Sequence, residues 1–290
     1  MTPKTPLPMP VIITLMVFFD SLHFVFGRLL WPLVPPAVSS FFIMFIAAVL
    51  WTAIMGVRRT IDVAVLRQNL PFFGLLGFLL ALDLVLGYAS VEFVDPGTAA
   101  LLARSSTIFS IGLGVFWLKE RLNRPMILGT AVALLGVFVI SFQPGDYFRV
   151  GSLLVLVASF AYALHTAVVK RYGEGLDIGN FFLFRLWATV PFALGMALLS
   201  GEWVVPVVGE AWLWLVVTAV VNVVISRMVY YAVLRLVTVS YHAIVLTLST
   251  VLTVLWSWLL FGVWPTLASV VGGTAVVVGV SIVTRFRGKT

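Results

Sequence analysis

The sequence predicts an all-α integral membrane protein with ten transmembrane helices, arranged as two inverted five-helix repeats. Three observations predict it. Of the 290 residues, 62% are hydrophobic and only 10% charged, against roughly 25% charged in a soluble domain. Continuous apolar runs of about 20 residues, enough to cross roughly 30 Å of hydrocarbon as helix, recur along the chain. A block late in the first half then returns 143 residues later: Tyr88-Ala89 as Tyr231-Ala232, Val94 as Val237, Ala100 as Ala243, Ser106-Thr107 as Ser249-Thr250, and Gly129 with Gly136-Val137 as Gly272 with Gly279-Val280. A unit of five spans, an odd number, places its second copy upside down in the bilayer.

In order, the expected spans are 11–31, 36–56, 70–90, 97–118, 126–142, 151–169, 181–200, 211–234, 239–261 and 266–284. The repeats divide the chain into 1–145 and 146–290, one membrane domain. Helix is expected over barrel because the runs are continuous rather than alternating, and a helix satisfies its own backbone in lipid. The first run has no long basic region or small-residue cleavage site before it, so it reads as a retained span. Pro71, Pro96 and Pro125 fall near span starts, where a missing amide costs little; Pro191 falls inside the seventh span, as a hinge or a static bend. Gly129, Ala133 and Gly136 share a helical face, as do Gly272, Ala275 or Val276, and Gly279 in the last span. Small residues at that spacing let backbones approach, which makes the fifth and tenth spans supports. The largest loops, 57–69, 143–150 and 170–180, are too short for a soluble domain.

The net charge of +7 raises the question of nucleic acid, but the distribution answers it. With a cytoplasmic N-terminus, the inner side holds Lys4, Arg58, Arg59, Arg67, Lys119, Arg121, Arg124, Lys170, Arg171, Arg235, Arg285, Arg287 and Lys289, and the outer side holds Arg149. This is the positive-inside bias, so the basic excess describes topology. There is no cysteine, which excludes disulfides and thiolate chemistry. No Walker loop, His-Glu-x-x-His or Gly-x-Ser-x-Gly motif appears, so neither a catalytic group nor a metal set is expected.

Gly114 to Ser141 reads GVFWLKERLNRPMILGTAVALLGVFVIS, a Glu-Arg at a helix end followed by a glycine-spaced span. It resembles the EamA-type repeat of the drug/metabolite transporter superfamily. The second copy, Ser257 to Thr284, keeps the glycines but carries Val263-Trp264 in place of Glu120-Arg121. Thr107 and Thr250 replace a proline common in the repeat's fourth span. Arg185 matches an arginine often seen in the second, where the first half has Met44. The resemblance implies a central cavity, both termini cytoplasmic, no cofactor, and alternating access in the bacterial inner membrane, often for export of amino acids or related amphiphilic compounds. An intramembrane enzyme acting on lipid is the alternative.

Ionisable groups within spans are costly and default to functional candidates. Asp20 and His23 follow helical spacing with Gly27 and make the best proton-coupling pair, with protons as the expected coupling ion. Asp83 and Arg104 flank a short turn at similar depth, as a salt bridge or a substrate site. Tyr162, His165 and Thr166 form a polar face on the sixth span, and Asn222, Ser226 and Tyr230 a stripe on the eighth beside Arg227. His242 lies near the start of the ninth. Arg28 and Arg185, near span ends, are expected to snorkel to the interface. An unpaired Arg104 or Arg227 would call for a carboxylate on the substrate. Trp31, Trp203, Trp212 and Trp264 read as interfacial belt residues, whereas Trp187, Trp256 and Trp258 lie deeper, where one could stack on substrate.

Overall fold

The computed structural model describes residues 8–30, 32–90, 103, 105–141, 150–207, 209–262 and 264–286. Every regular element among them is helical: α1 (Met9–Ser21), α2 (His23–Leu30), α3 (Pro36–Val57), α4 (Val63–Gln68), α5 (Leu70–Ser90), α6 (Ser105–Phe116), α7 (Arg124–Ser141), α8 (Val150–Tyr172), α9 (Ile178–Leu199), α10 (Gly209–Thr218), a π-helical segment (Ala219–Ile225), α11 (Ser226–Leu236), α12 (Val239–Leu246), α13 (Leu248–Phe261) and α14 (Leu267–Arg285). Helix therefore stands at each of the ten expected segments. Among the described residues, seven helical stretches are long and apolar enough to cross a membrane, and three shorter apolar helices stand at Leu70–Asp83, Ser105–Phe116 and Arg124–Val139.

The helix starts follow local chemistry. α1 and α3 carry proline in their first turns, where the missing amide has no intrahelical partner anyway. Asp177, Thr238 and Thr266 cap α9, α12 and α14, each side chain accepting a backbone N–H of the first turn. Capping at Asp177 starts α9 three residues ahead of the expected span, and Asn180 explains why polarity there did not end the helix. Its amide donates to the Thr60 carbonyl at 3.0 Å and its Oδ1 accepts from Asp62 N at 2.8 Å, so the buried side chain ties the 57–63 loop to α9. α9 then runs through Pro191 to Leu199.

The two halves interlock rather than stand side by side. α7 packs on α14, α5 against α8 and α9, α3 on α9, α6 between α8 and α12, and α1 against α11 and α13. Each pair takes one helix from either half. The α7–α14 seam is set by glycine. A Cβ on Gly129 would lie 2.7 Å from the Gly279 carbonyl oxygen, and one on Gly136 would lie 2.5 Å from that of Gly272. No larger residue permits this approach, so the seam packs as the small-residue face predicts.

One end of the bundle is tightly tied. Glu120 stands before the N-terminus of α12, its Oε1 accepting from Val239 N at 2.5 Å and its Oε2 from Ser240 N at 2.9 Å. Lys170 Nζ donates to the Leu234 and Arg235 carbonyls that end α11, at 3.0 and 3.1 Å. Asn123 donates to the Phe286 carbonyl at 2.7 Å, and Arg171 lies over the Trp117 ring. Arg58, Arg59, Lys119, Arg121, Arg124, Arg171, Arg235 and Arg285 all belong to these helix ends and loops. The segregated charge of the sequence is thus one face of the bundle.

Candidate functional site

The polar residues of the spans converge in the bundle interior, and a local helix defect helps them do so. In the eighth span the chain widens to π-helix over Ala219–Ile225, and Ser226 N–H bonds back to the Val221 carbonyl five residues before it. A π turn closes over about one residue more than an α turn. Asn222 and Arg227, five residues apart, therefore come to the same side, which they would not in regular α-helix. Both reach the first span. Asn222 Nδ2 lies 2.8 Å from His23 Nδ1, and Arg227 Nη1 lies 3.4 Å from Asp20 Oδ1 in an ion pair whose side chains are about one-fifth exposed.

Arg227 organises its surroundings further. Its Nη1 also donates to the Tyr162 hydroxyl at 3.4 Å, and its guanidinium stands 5.5 Å from the Tyr230 ring centroid. Tyr230 exchanges a 3.0 Å hydrogen bond with Thr166 and takes the His242 ring edge-on at 4.3 Å between centroids. The charge of Arg227 also reaches Asp83 on α5. Tyr162 stacks beside His165, whose Nε2 lies 3.5 Å from the Tyr231 hydroxyl. Tyr231 packs under Arg185 of α9, whose guanidinium is 5.0 Å from its ring centroid and 5.8 Å from that of Phe182.

Asp20, His23, Asp83, Tyr162, His165, Asn222, Arg227 and Tyr230 are thus brought into one cluster, with Ser226 buried on the same helix between Asn222 and Arg227. Arg104 lies outside the described residues, and with it the expected Asp83–Arg104 bridge. One expectation needs correction. Arg185 does not snorkel: it is 2% exposed, because α9 begins at Ile178 and places it about two turns inside. Arg227, whose pairing the sequence leaves open, meets Asp20. Asp20 and His23 share a region but not one unbroken helix, which is interrupted at Leu22 between them.

Three contributions escaped the sequence reading. Tyr231 stands out in the sequence only as half of the repeated Tyr-Ala pair; the π turn has no pattern in residue spacing; and Glu120 marks the family resemblance without showing that it caps a distant helix. Gly114 belongs with the last, since any Cβ there would collide with the Glu120 carboxylate and Ser240 Oγ. Of the deeper tryptophans, Trp187 donates to Thr52 Oγ1 and Trp256 to Ser21 Oγ, both at 2.9 Å, while Trp258 packs on Trp264 away from the cluster. A groove lined by Leu248, Val277, Val280, Ser281, Thr284 and Arg285 shares no residue with it either.

Comparison with known proteins decides the class. The model of the EamA-like transporter family matches twice, over residues 8–142 and 149–285. The chain belongs to the EamA-like transporter family. It is 31% identical over 73% of its length to 71% of a Bacillus subtilis protein named as an uncharacterized transporter, YdfC. It is 28% identical over 66% of its length to 62% of the riboflavin transporter of Vibrio cholerae. A probable terminal-alkyne amino-acid exporter of Streptantibioticus cattleyicolor is 30% identical over 80% of this chain and 77% of its own. One crystal structure superposes with a TM-score of 0.82 over 96% of both chains at 18% identity, a likeness of fold. This EamA-family protein is a multi-pass membrane transporter and not an enzyme, so the lipid-enzyme alternative falls away.

Proposed function

We propose that the protein is a secondary transporter of small organic metabolites, exporting amino acids or related amphiphilic compounds by alternating access. In this reading ten helices form two inverted repeats, 1–145 and 146–290, around a central cavity in the bacterial inner membrane, with both termini cytoplasmic. The observation that carries it is the polar cluster at the junction of the two halves. Asp20, His23 and Asp83 come from the first, and Tyr162, His165, Asn222, Ser226, Arg227 and Tyr230 from the second. Rocking one half against the other must remake those contacts, which is what an alternating site requires. The orientation rests on the basic end of the bundle, which the positive-inside rule assigns to the cytoplasm. Export of amino acids rests on the name of the Streptantibioticus relative.

Protons are the proposed coupling ion. Protonating Asp20 would dissolve its ion pair with Arg227 and free the guanidinium for substrate, while His23 is held by Asn222 at the edge of the same site. Purified protein in liposomes should exchange labelled amino acids by counterflow without ATP, and silence across a broad metabolite panel would sink transport. A collapsed proton gradient should slow uphill flux. Asp20→Asn and His23→Ala should remove that dependence on the gradient and on pH, and an unchanged dependence in both variants would exclude the relay.

A further inference from the structure

Among the described residues, the buried Arg185 has no counter-ion. Arg185 is 2% exposed, and its Nε and Nη1 have no hydrogen-bond acceptor among the described residues. Its neighbours are rings: Tyr231 at 5.0 Å and Phe182 at 5.8 Å from the guanidinium carbon. Cation–π attraction offsets part of the cost of burying the charge, but it supplies no acceptor to the Nε and Nη1 N–H donors. The partly exposed Arg227 differs in kind. Arg227 is held by the Asp20 carboxylate and the Tyr162 hydroxyl.

His165 adds to the imbalance. Its Nε2 faces the Tyr231 hydroxyl and its Nδ1 is buried without a partner. Where the phenol donates to Nε2, the neutral ring carries its proton on Nδ1, a further donor without an acceptor. Arg185 and His165 both flank Tyr231, one on the ring face and the other at the hydroxyl. The group therefore holds several donors, a full positive charge and aromatic walls. A planar carboxylate accepts two parallel bonds from a guanidinium fork, which a lone hydroxyl or carbonyl does not.

We propose that Arg185 is the carboxylate-recognition residue of the transporter, with His165 as a second donor and Tyr231 as the wall against which the apolar body of a small organic acid packs. This rests on the transport reading and names the substrate class within it. The site lies at the tied, basic end of the bundle, so the acid reaches Arg185 when that end opens.

The test is counterflow in liposomes with labelled L-phenylalanine and L-leucine, each compared with its carboxamide, which keeps the body and the ammonium but removes the anion. Wild-type protein should exchange the acids about tenfold faster than the amides. Arg185→Gln should lose that preference, with acid exchange down about tenfold and amide exchange unchanged within about twofold. Arg185→Lys, which keeps the charge and the fold more safely, should raise the KM for the acids with little change in kcat. Wild-type exchange of amides and acids at equal rates would overturn the proposal while leaving transport standing. So would retained acid preference in Arg185→Gln, or, if that variant does not fold, an unchanged KM in Arg185→Lys. No exchange of any compound by the wild type would remove the transport reading and this proposal together.

Discussion

At the scale of single residues, the Asp20–Arg227 pair joins the first span to the eighth. With 20% and 18% of the side chains exposed, it lies between surface pairs worth little and buried pairs whose breaking is severe. Removing one partner leaves the other charge in an apolar bundle. Arg227→Met and Asp20→Asn should each lower the stability of the detergent-solubilised protein by about 1–3 kcal/mol. The double variant should be more stable than the sum of the two losses, because neither charge is then stranded. Thermal unfolding of the four proteins gives the cycle, and strict additivity would mean that the pair does not couple. The members of the cluster were legible in sequence because a polar group in an apolar span is costly enough to need a reason. Their partners were not. Asp20 and Arg227 stand 207 positions apart, and His23 and Asn222 stand 199 apart, separations on which helical periodicity is silent. Asp83 was paired with Arg104 as its neighbour in the hairpin, a pairing that lies outside the described residues, while the charge of the distant Arg227 also reaches it.

At the scale of elements, the helix seam was readable and the helix defect was not. Glycines seven positions apart mark a face wherever the helix stays regular, and α7 and α14 are regular. Gly136→Val should therefore disrupt the seam, costing about 1–3 kcal/mol or more because the intruding atoms meet backbone that cannot swing away. Gly112→Ala and Gly195→Ala, where an added methyl meets nothing within 4 Å, should change the melting temperature little. Equal losses in all three would show that glycine matters here for some reason other than close approach. The π segment lies in AVVNVVI, a run whose β-branched residues suit a strand as well as a helix. Nothing in that pattern separates five-residue from four-residue hydrogen bonding. The displaced turn is set by tertiary demand, Asn222 reaching His23 while Arg227 reaches Asp20. The depth of Arg185 was missed at the same scale. The apolar run begins at Phe181, but Asp177 and Asn180 satisfy one another and the neighbouring loop, so the helix starts earlier than hydrophobicity alone indicates.

At the scale of the whole molecule, the basic end of the bundle is held by a residue that only the first repeat carries. Glu120 of the first repeat meets the N-terminus of α12 with both carboxylate oxygens, a place where a negative charge also meets the favourable end of the helix dipole. The corresponding position of the second repeat in sequence is Val263, whose side chain carries no hydrogen-bond acceptor. The basic end thus has a charged clamp, reinforced by Lys170 on the carbonyls that end α11. Glu120→Gln keeps the size and one acceptor but turns an amide N–H toward a backbone N–H, and it removes the charge. The proposed alternating access makes a directional forecast. In the naturally cysteine-free chain, a cysteine at Ala167, fully buried one turn before that end of α8, should react slowly with a maleimide. The Glu120→Gln background should speed the reaction about fivefold or more, as expected when a charge-assisted contact holding the closed state is lost. A cysteine at Asn222, nearer the middle of the bundle, should respond in the same proteins to added substrate. Unchanged labelling at Ala167, in a variant whose thermal unfolding shows it intact, would mean that the Glu120 contact fastens α12 without governing access from that side.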